Sequence, residues 1–184
     1  METNILELIN TRRSHRKYLP QPLSETQLNH LLAAALASPS ANNLQPWHFT
    51  VVQDQVLLDQ VNQATRRGAQ AQDNAQRSPR FADPAFHVFY HAPCVVFITT
   101  QGGQQALDCG IAVYGLALAA ESLGLGSVIL GLPRLAFMGP EDREIEKALR
   151  FPPGHSFVIA IALGYPDDTK DPPARDPGKV THIR

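Results

Sequence analysis

Five consecutive residues near the start of the chain, Arg12, Arg13, Ser14, His15 and Arg16, put three guanidinium groups and a hydroxyl side by side. Guanidinium forks match phosphate oxygens two at a time, so this cluster can grip a phosphorylated ligand. It can equally offset the negative end of a helix that precedes it, and residue types alone leave both readings open. The small, polar, proline-bearing stretch from Ser38 to Pro46 reads as a loop and is a second candidate site. Asn42 reads as a turn residue and Trp47 as part of the core.

Other signals argue against competing chemistries. GLGSVI at 124–129 lacks the third glycine of a dinucleotide-binding turn and follows a helix instead of a strand. His87 and His91 stand four apart, as two ligands on one helical face would, but no glutamate follows His87 and no third ligand is evident, so no metal is expected. The chain has no GxSxG nucleophile elbow. Cys94 and Cys109 are too few for a disulfide framework and read as buried small apolar residues in a reducing, cytoplasmic setting. A formal net charge of -1 gives no basic field for nucleic acid and no cationic face for a membrane, which leaves a small-molecule partner. The longest apolar stretch, Cys109 to Ala120, falls short of the roughly 20 residues that span a bilayer. The first residues lack the apolar core of a signal peptide.

These groups need elements to hold them, and 43% hydrophobic against 18% charged residues is enough apolar material for a core. A length of 184 residues suits one domain, 1–184, ending in an extended arm over 165–184. Ile5, Leu8 and Ile9 share one face of a first helix. Ser24 and Gln27 form a capping box for a second, with Leu28, Leu31, Leu32, Ala35 and Leu36 at helical spacing, ending before Pro39. Strands are predicted at His48 to Val52, Cys94 to Thr100, near Ser127 to Leu132, and Phe157 to Leu163. Leu107 to Leu123 is apolar or small on nearly every side, which predicts a helix buried all round, its face of Ala106, Gly110, Val113, Ala117 and Ala120 packing on a second copy of the chain. Gly139 and Pro140 open another helix with an inner stripe of Ile145, Ala148 and Leu149. The prolines at 166, 172, 173 and 177 keep the arm from being helical. The polar run from Arg66 to His91, with its scattered aromatics, reads as a mobile helical excursion or lid.

RRSHR at 12–16, SPSANNLQPWHF at 38–49, GLGSVILGL at 124–132, and LGYP at 163–166 leading to an arm with Arg175 together resemble the nitroreductase family of flavoproteins. The pairing of RRS with PSxxNxQPW on either side of a capped helix is the specific part. The resemblance implies an α+β fold whose central, mostly antiparallel sheet is flanked by helices. It also implies an intertwined homodimer with two FMN molecules at its interface, each touched by both subunits. Arg12, Arg13 and Ser14 then fall on phosphate-binding positions, and Arg16 on a basic position near the pyrimidine edge of the flavin. Pro39, Ser40, Ala41, Asn43 and Gln45 fall on a loop that meets the flavin in part from the second protomer. Arg175 falls on a C-terminal phosphate contact, with Lys170 and Lys179 as neighbouring competitors. An amide donor from around Leu130 or Gly131 is implied beside flavin N5. The sequence departs from the family pattern at Ile129, where an aromatic is usual, and at Leu132, where a second glycine is usual; Leu132 is expected to narrow the substrate face.

The implied activity is that of an NAD(P)H-dependent flavin oxidoreductase. Hydride passes from NADH or NADPH through flavin N5 to an electron-poor acceptor, such as a nitroaromatic or a quinone, in ping-pong order. Because the flavin performs the transfer, no side chain is assigned as a catalytic acid, base or nucleophile. A cation at Arg16 would stabilise the negative charge that two-electron reduction leaves at N1 and the C2 carbonyl, against the rival reading of a solvated surface arginine. Two alternatives stand beside this one. They are another FMN reaction of the superfamily, such as dehalogenation or dehydrogenation, and a non-enzymatic flavin-binding or sensor protein.

Overall fold

Four strands, β1 (His48–Val52), β2 (Cys94–Thr100), β3 (Gly126–Leu130) and β4 (Ser156–Gly164), form one sheet of order β1-β2-β4-β3 in which every neighbouring pair is antiparallel. The computed structural model describes residues 4–72, 78–139 and 142–183. All seven residues of β2 are buried, and their alternation serves two cores. Cys94, Val96 and Ile98 join Ile161 and Leu163 on one face, whereas Val95 and Phe97 join Val128, Leu130, Ala160 and Ala162 on the other. A strand buried on both faces reads as an unbroken apolar run, as CVVFITT does. The third strand stops at Leu130, short of Leu132, because Leu132 and Pro133 open a 3-10 segment, Leu132–Phe137, and proline has no N–H for the ladder.

The first face is covered by α2 (Glu25–Leu36) and α4 (Ala106–Ser122). The capping box of α2 is present as expected: the Gln27 N–H donates to Ser24 Oγ at 3.3 Å, and the Ser24 N–H donates to Gln27 Oε1 at 3.0 Å. Trp47 packs in this core. The second face is covered by α3 (Gln55–Gln70) and residues of α5 (Asp142–Ala148) and its C-terminal turn, including Ile145 and Leu149. Pro140, expected to open α5, lies outside the described residues, and Ala148, expected on its inner stripe, is exposed.

Three expectations need correction. The helix α3 was missed, although Asp54 caps it at the N–H groups of Val56 and Leu57 and its buried Leu58, Val61, Ala64, Thr65 and Ala69 recur every three to four residues. Its polar outer face hid that stripe. The 66–91 run is not one lid: Arg66 to Gln70 finish α3, while Val88 and Phe89 are fully buried in the second core. Arg66 holds the intervening turn by donating to the Phe86 carbonyl at 2.7 Å; residues 73–77 lie outside the described ones. Finally, α4 is not buried all round. Of the face expected to meet a second copy, Val113, Ala117 and Ala120 pack within this chain while Ala106 and Gly110 are exposed, and Leu107, Ile111 and Tyr114 are uncovered as well, with Leu107 72% exposed. The short helix α1 (Ile5–Thr11) has no buried residue and leaves Ile5, Leu6 and Ile9 bare as well.

Candidate functional site

The arginine segment is laid along the edge of the sheet. The His15 N–H donates to the Ser127 carbonyl at 3.0 Å, making a parallel bridge between Ser14 and Ser127 on the free side of β3. Residues 15–19 then run antiparallel to 165–168: the Leu19 N–H donates to the Tyr165 carbonyl, the Asp167 N–H to the Lys17 carbonyl, both at 2.9 Å, and Tyr18 bridges Pro166. Two paired glycines permit this approach. A Cβ on Gly126 would sit 3.1 Å from the His15 side chain, and one on Gly164 would sit 2.6 Å from Pro93 and 2.9 Å from Tyr18. The glycines of the GLGS and LGYP motifs therefore matter for packing the segment onto the sheet.

One cavity of about 240 Å³ is lined by Arg12, Arg13, Ser14 and Arg16 together with Lys170, Asp171, Pro173 and Arg175. Residues separated by some 160 positions are thus brought to one place, with Arg175 beside the N-terminal arginines. Lys170 joins them too, whereas Lys179 does not line this cavity and lies 3.8 Å from Asp176. Five cations face one carboxylate, which suits a polyanion. Arg13 also realises the rival reading in part, since its Nη1 donates to the Asn10 carbonyl in the last turn of α1. Yet Nε of Arg12 and Nε of Arg13 are both buried without a hydrogen-bond partner. A buried charged donor left unpaired is costly, and a phosphate oxygen is the acceptor that such a pair fits.

Behind the cavity lies Asp168, unremarked in the sequence. Its Oδ1 is 2.6 Å from His15 Nδ1, and its Oδ2 accepts from the Arg16 N–H at 3.1 Å and from Lys170 Nζ at 3.0 Å. Burial works against this carboxylate, but the bonds from His15, the Arg16 N–H and Lys170 outweigh it and hold the acid below the usual carboxylate range. Tyr90, in left-handed backbone at φ 54°, places its ring 5.9 Å from the Arg16 guanidinium.

The second predicted group forms a separate surface loop. Ala41–Asn43 makes one 3-10 turn, with Asn42, Asn43 and Gln45 all at positive φ. The Gln45 N–H donates to Ser40 Oγ at 2.9 Å and Gln45 Nε2 to Asn43 Oδ1 at 3.3 Å, so the loop holds its own shape. Asp108 of α4, a second residue that sequence reasoning passed over, accepts from the Ala41 N–H at 3.3 Å. No loop residue lines the arginine cavity. Next to the loop is a larger pocket, about 400 Å³, which contains Gln45, Trp47, His48 and His155. Burial, then the neighbouring His155, lowers the His48 pKa, which favours a neutral ring there. Leu130 is buried, and the alternation of β3 turns its N–H toward Ala160, whereas the Gly131 N–H faces off the sheet on the side where Ser127 meets His15. Of the two amides singled out, that of Leu130 is turned into the sheet. Leu132 packs against the second core.

A family model described as "Nitroreductase family" matches residues 9–165. The chain belongs to the nitroreductase family. A crystal structure of a nitroreductase with bound FMN from Desulfitobacterium hafniense superposes with a TM-score of 0.92 at 30% identity, covering 100% of both chains. An NADH dehydrogenase from Thermus thermophilus is 32% identical over 90% of this chain and 88% of its own length. An NADPH-flavin oxidoreductase from Vibrio harveyi is 27% identical over 96% of this chain and 72% of its own length. The nitroreductase fold explains the antiparallel sheet with helices on both faces, and the matched span holds both the arginine segment and the 39–45 loop.

Proposed function

We propose that this chain is an NAD(P)H-dependent flavin oxidoreductase that binds FMN between two copies of itself. One observation carries the reading: Arg12 and Arg13, whose Nε atoms are buried without a hydrogen-bond partner, line one cavity with Ser14, Arg16 and Arg175. These residues fit a flavin phosphate. Arg16, at the same cavity and beside Ser14, supplies a fixed positive charge for the pyrimidine edge, and the Gly131 N–H supplies a donor at the ring. When bound, FMN supplies the centre that accepts and donates hydride. The chain's own groups bind it, orient it and bias its charge, and none of them is asked to move a proton.

The loop of Pro39, Ser40, Ala41, Asn43 and Gln45 is preshaped, largely exposed and contributes nothing to the lining of the arginine cavity, as a group serving a second copy's ligand would. The bare stripes of α1 and α4 are apolar surface of the kind that marks a protein interface, which supports a homodimer. NADH or NADPH and an electron-poor small molecule would use the same face in turn. No helix among the described residues is long and apolar enough to cross a membrane. Two buried, unpaired cysteines fit a cytoplasmic setting. The test is spectroscopic: purified protein reconstituted with FMN should bleach anaerobically on adding NADH or NADPH and recover on adding a quinone or nitroaromatic. Flavin that binds but does not bleach with either nicotinamide would replace the enzyme with a sensor or carrier.

A further inference from the structure

We infer that Asp168 is a positioning residue, a latch that carries the cations of the C-terminal arm to the phosphate cavity. The inference rests on the flavin-binding reading above and deepens it. Asp168 has only 9% of its side chain exposed and spends both oxygens on three donors, two from the arginine segment and one from the arm. It is also where the arm's attachment ends. Main-chain bonds tie 165–167 to 17–19, but among the described residues none from 169 to 176 makes a main-chain hydrogen bond to the body of the protein, and every residue from 169 to 183 is exposed.

Lys170 and Arg175 nevertheless line the cavity with Arg12 and Arg13. Between them stand Pro172 and Pro173, whose fixed φ angles make the connection a stiff spacer rather than a loose tether. A stiff spacer transmits the direction set at its root, so the heading fixed at Asp168 decides where Arg175 arrives. The same carboxylate fixes the opposite wall through the Arg16 N–H and His15. It therefore sets the spacing between the two groups of cations, although its own charge repels a phosphate.

That opposition gives the experiment a sign. Asp168→Asn removes a negative charge beside a cationic cavity, so charge alone would tighten FMN binding. The latch demands weakening, by about tenfold, the worth of one charge-assisted hydrogen bond. Apoprotein is titrated with FMN and, separately, with riboflavin, which has no phosphate. The latch expects FMN affinity to fall by more than riboflavin affinity, since riboflavin loses only what a displaced Arg16 contributes at the ring while FMN loses the arm's phosphate contacts as well. It also expects trypsin to cut apoprotein faster after Lys170 and Arg175 in the variant, a readout independent of flavin. In a double-mutant cycle, Arg175→Ala should cost little more once Asp168→Asn is present, since the variant has already lost that contact. Unchanged or tighter FMN binding by Asp168→Asn, equal losses for FMN and riboflavin, or additive losses in the cycle would each overturn the latch. If wild-type protein binds no FMN, the flavin reading itself fails, which separates the two outcomes.

Discussion

Replacing Leu107 by Asp tests whether the bare stripe of α4 is an interface. Leu107 is 72% exposed in the single chain, so the substitution disturbs little of the protomer's own core. Full burial of a leucine side chain is worth about 2 kcal/mol, so covering the exposed part is worth about 1.5 kcal/mol per copy. A twofold interface counts it twice, about 3 kcal/mol, which is about a hundredfold in the dimer dissociation constant. A carboxylate in place of the leucine adds a desolvation penalty in the same direction. Sedimentation velocity over a concentration series reads the change, and FMN content of the monomer fraction reads its consequence. The expected result is a dimer for wild type, dissociation shifted by at least a hundredfold for the variant, and flavin lost along with the partner. An unchanged dimer in Leu107→Asp, with far-ultraviolet circular dichroism intact, would refute the assignment of this stripe.

Arg12→Ala should weaken FMN by a few kcal/mol at most, through loss of a charge-assisted contact, with riboflavin unaffected; equal affinity for FMN in fluorescence titration would remove Arg12 from the site. Ser24→Ala breaks the capping box of α2 and should lower unfolding free energy by about 1 kcal/mol in urea denaturation, whereas Ser24→Asp should restore most of it. The Asp168 carboxyl lies below its usual range, so its stabilisation is complete above the unfolded value of about 3.9 and fades as pH falls through the lower folded value. His15, Lys170, the Arg16 N–H and Tyr18 are the groups that face it. Thermal unfolding of apoprotein should therefore show an acid limb below about pH 4 that is shallower in Asp168→Asn. Burial pushes Cys94 up to about 12, and burial with the nearby Asp108 charge pushes Cys109 up to about 11, so a disulfide reagent at pH 8 should leave both thiols unlabelled until the protein is denatured.

The sheet and the capped helix α2 were legible because their signals are local: CVVFITT alternates between two cores, and Ser24 and Gln27 sit three residues apart. The arginine cluster was legible as chemistry, and its meeting with Arg175 followed from resemblance instead of from any local rule. The helix α3 escaped because its buried stripe is short on large apolar residues and is interrupted by polar positions along the whole helix. The outward face of α4 was legible only at Ala106 and Gly110, because a helix of small and apolar residues carries little contrast to say which side meets the sheet. Asp168 was out of reach for a different reason. Its role depends on His15, 153 residues away, and nothing in the residues around it marks it as more than one acid in a polar, prolyl tail.

The claim that two chains hold a flavin by its phosphate is tested most directly by titrating apoprotein with FMN while counting sites by absorbance. The account requires one FMN per chain, two per dimer, and affinity for FMN well above that for riboflavin. A stoichiometry other than one per chain, or equal affinity for the two flavins, would contradict it.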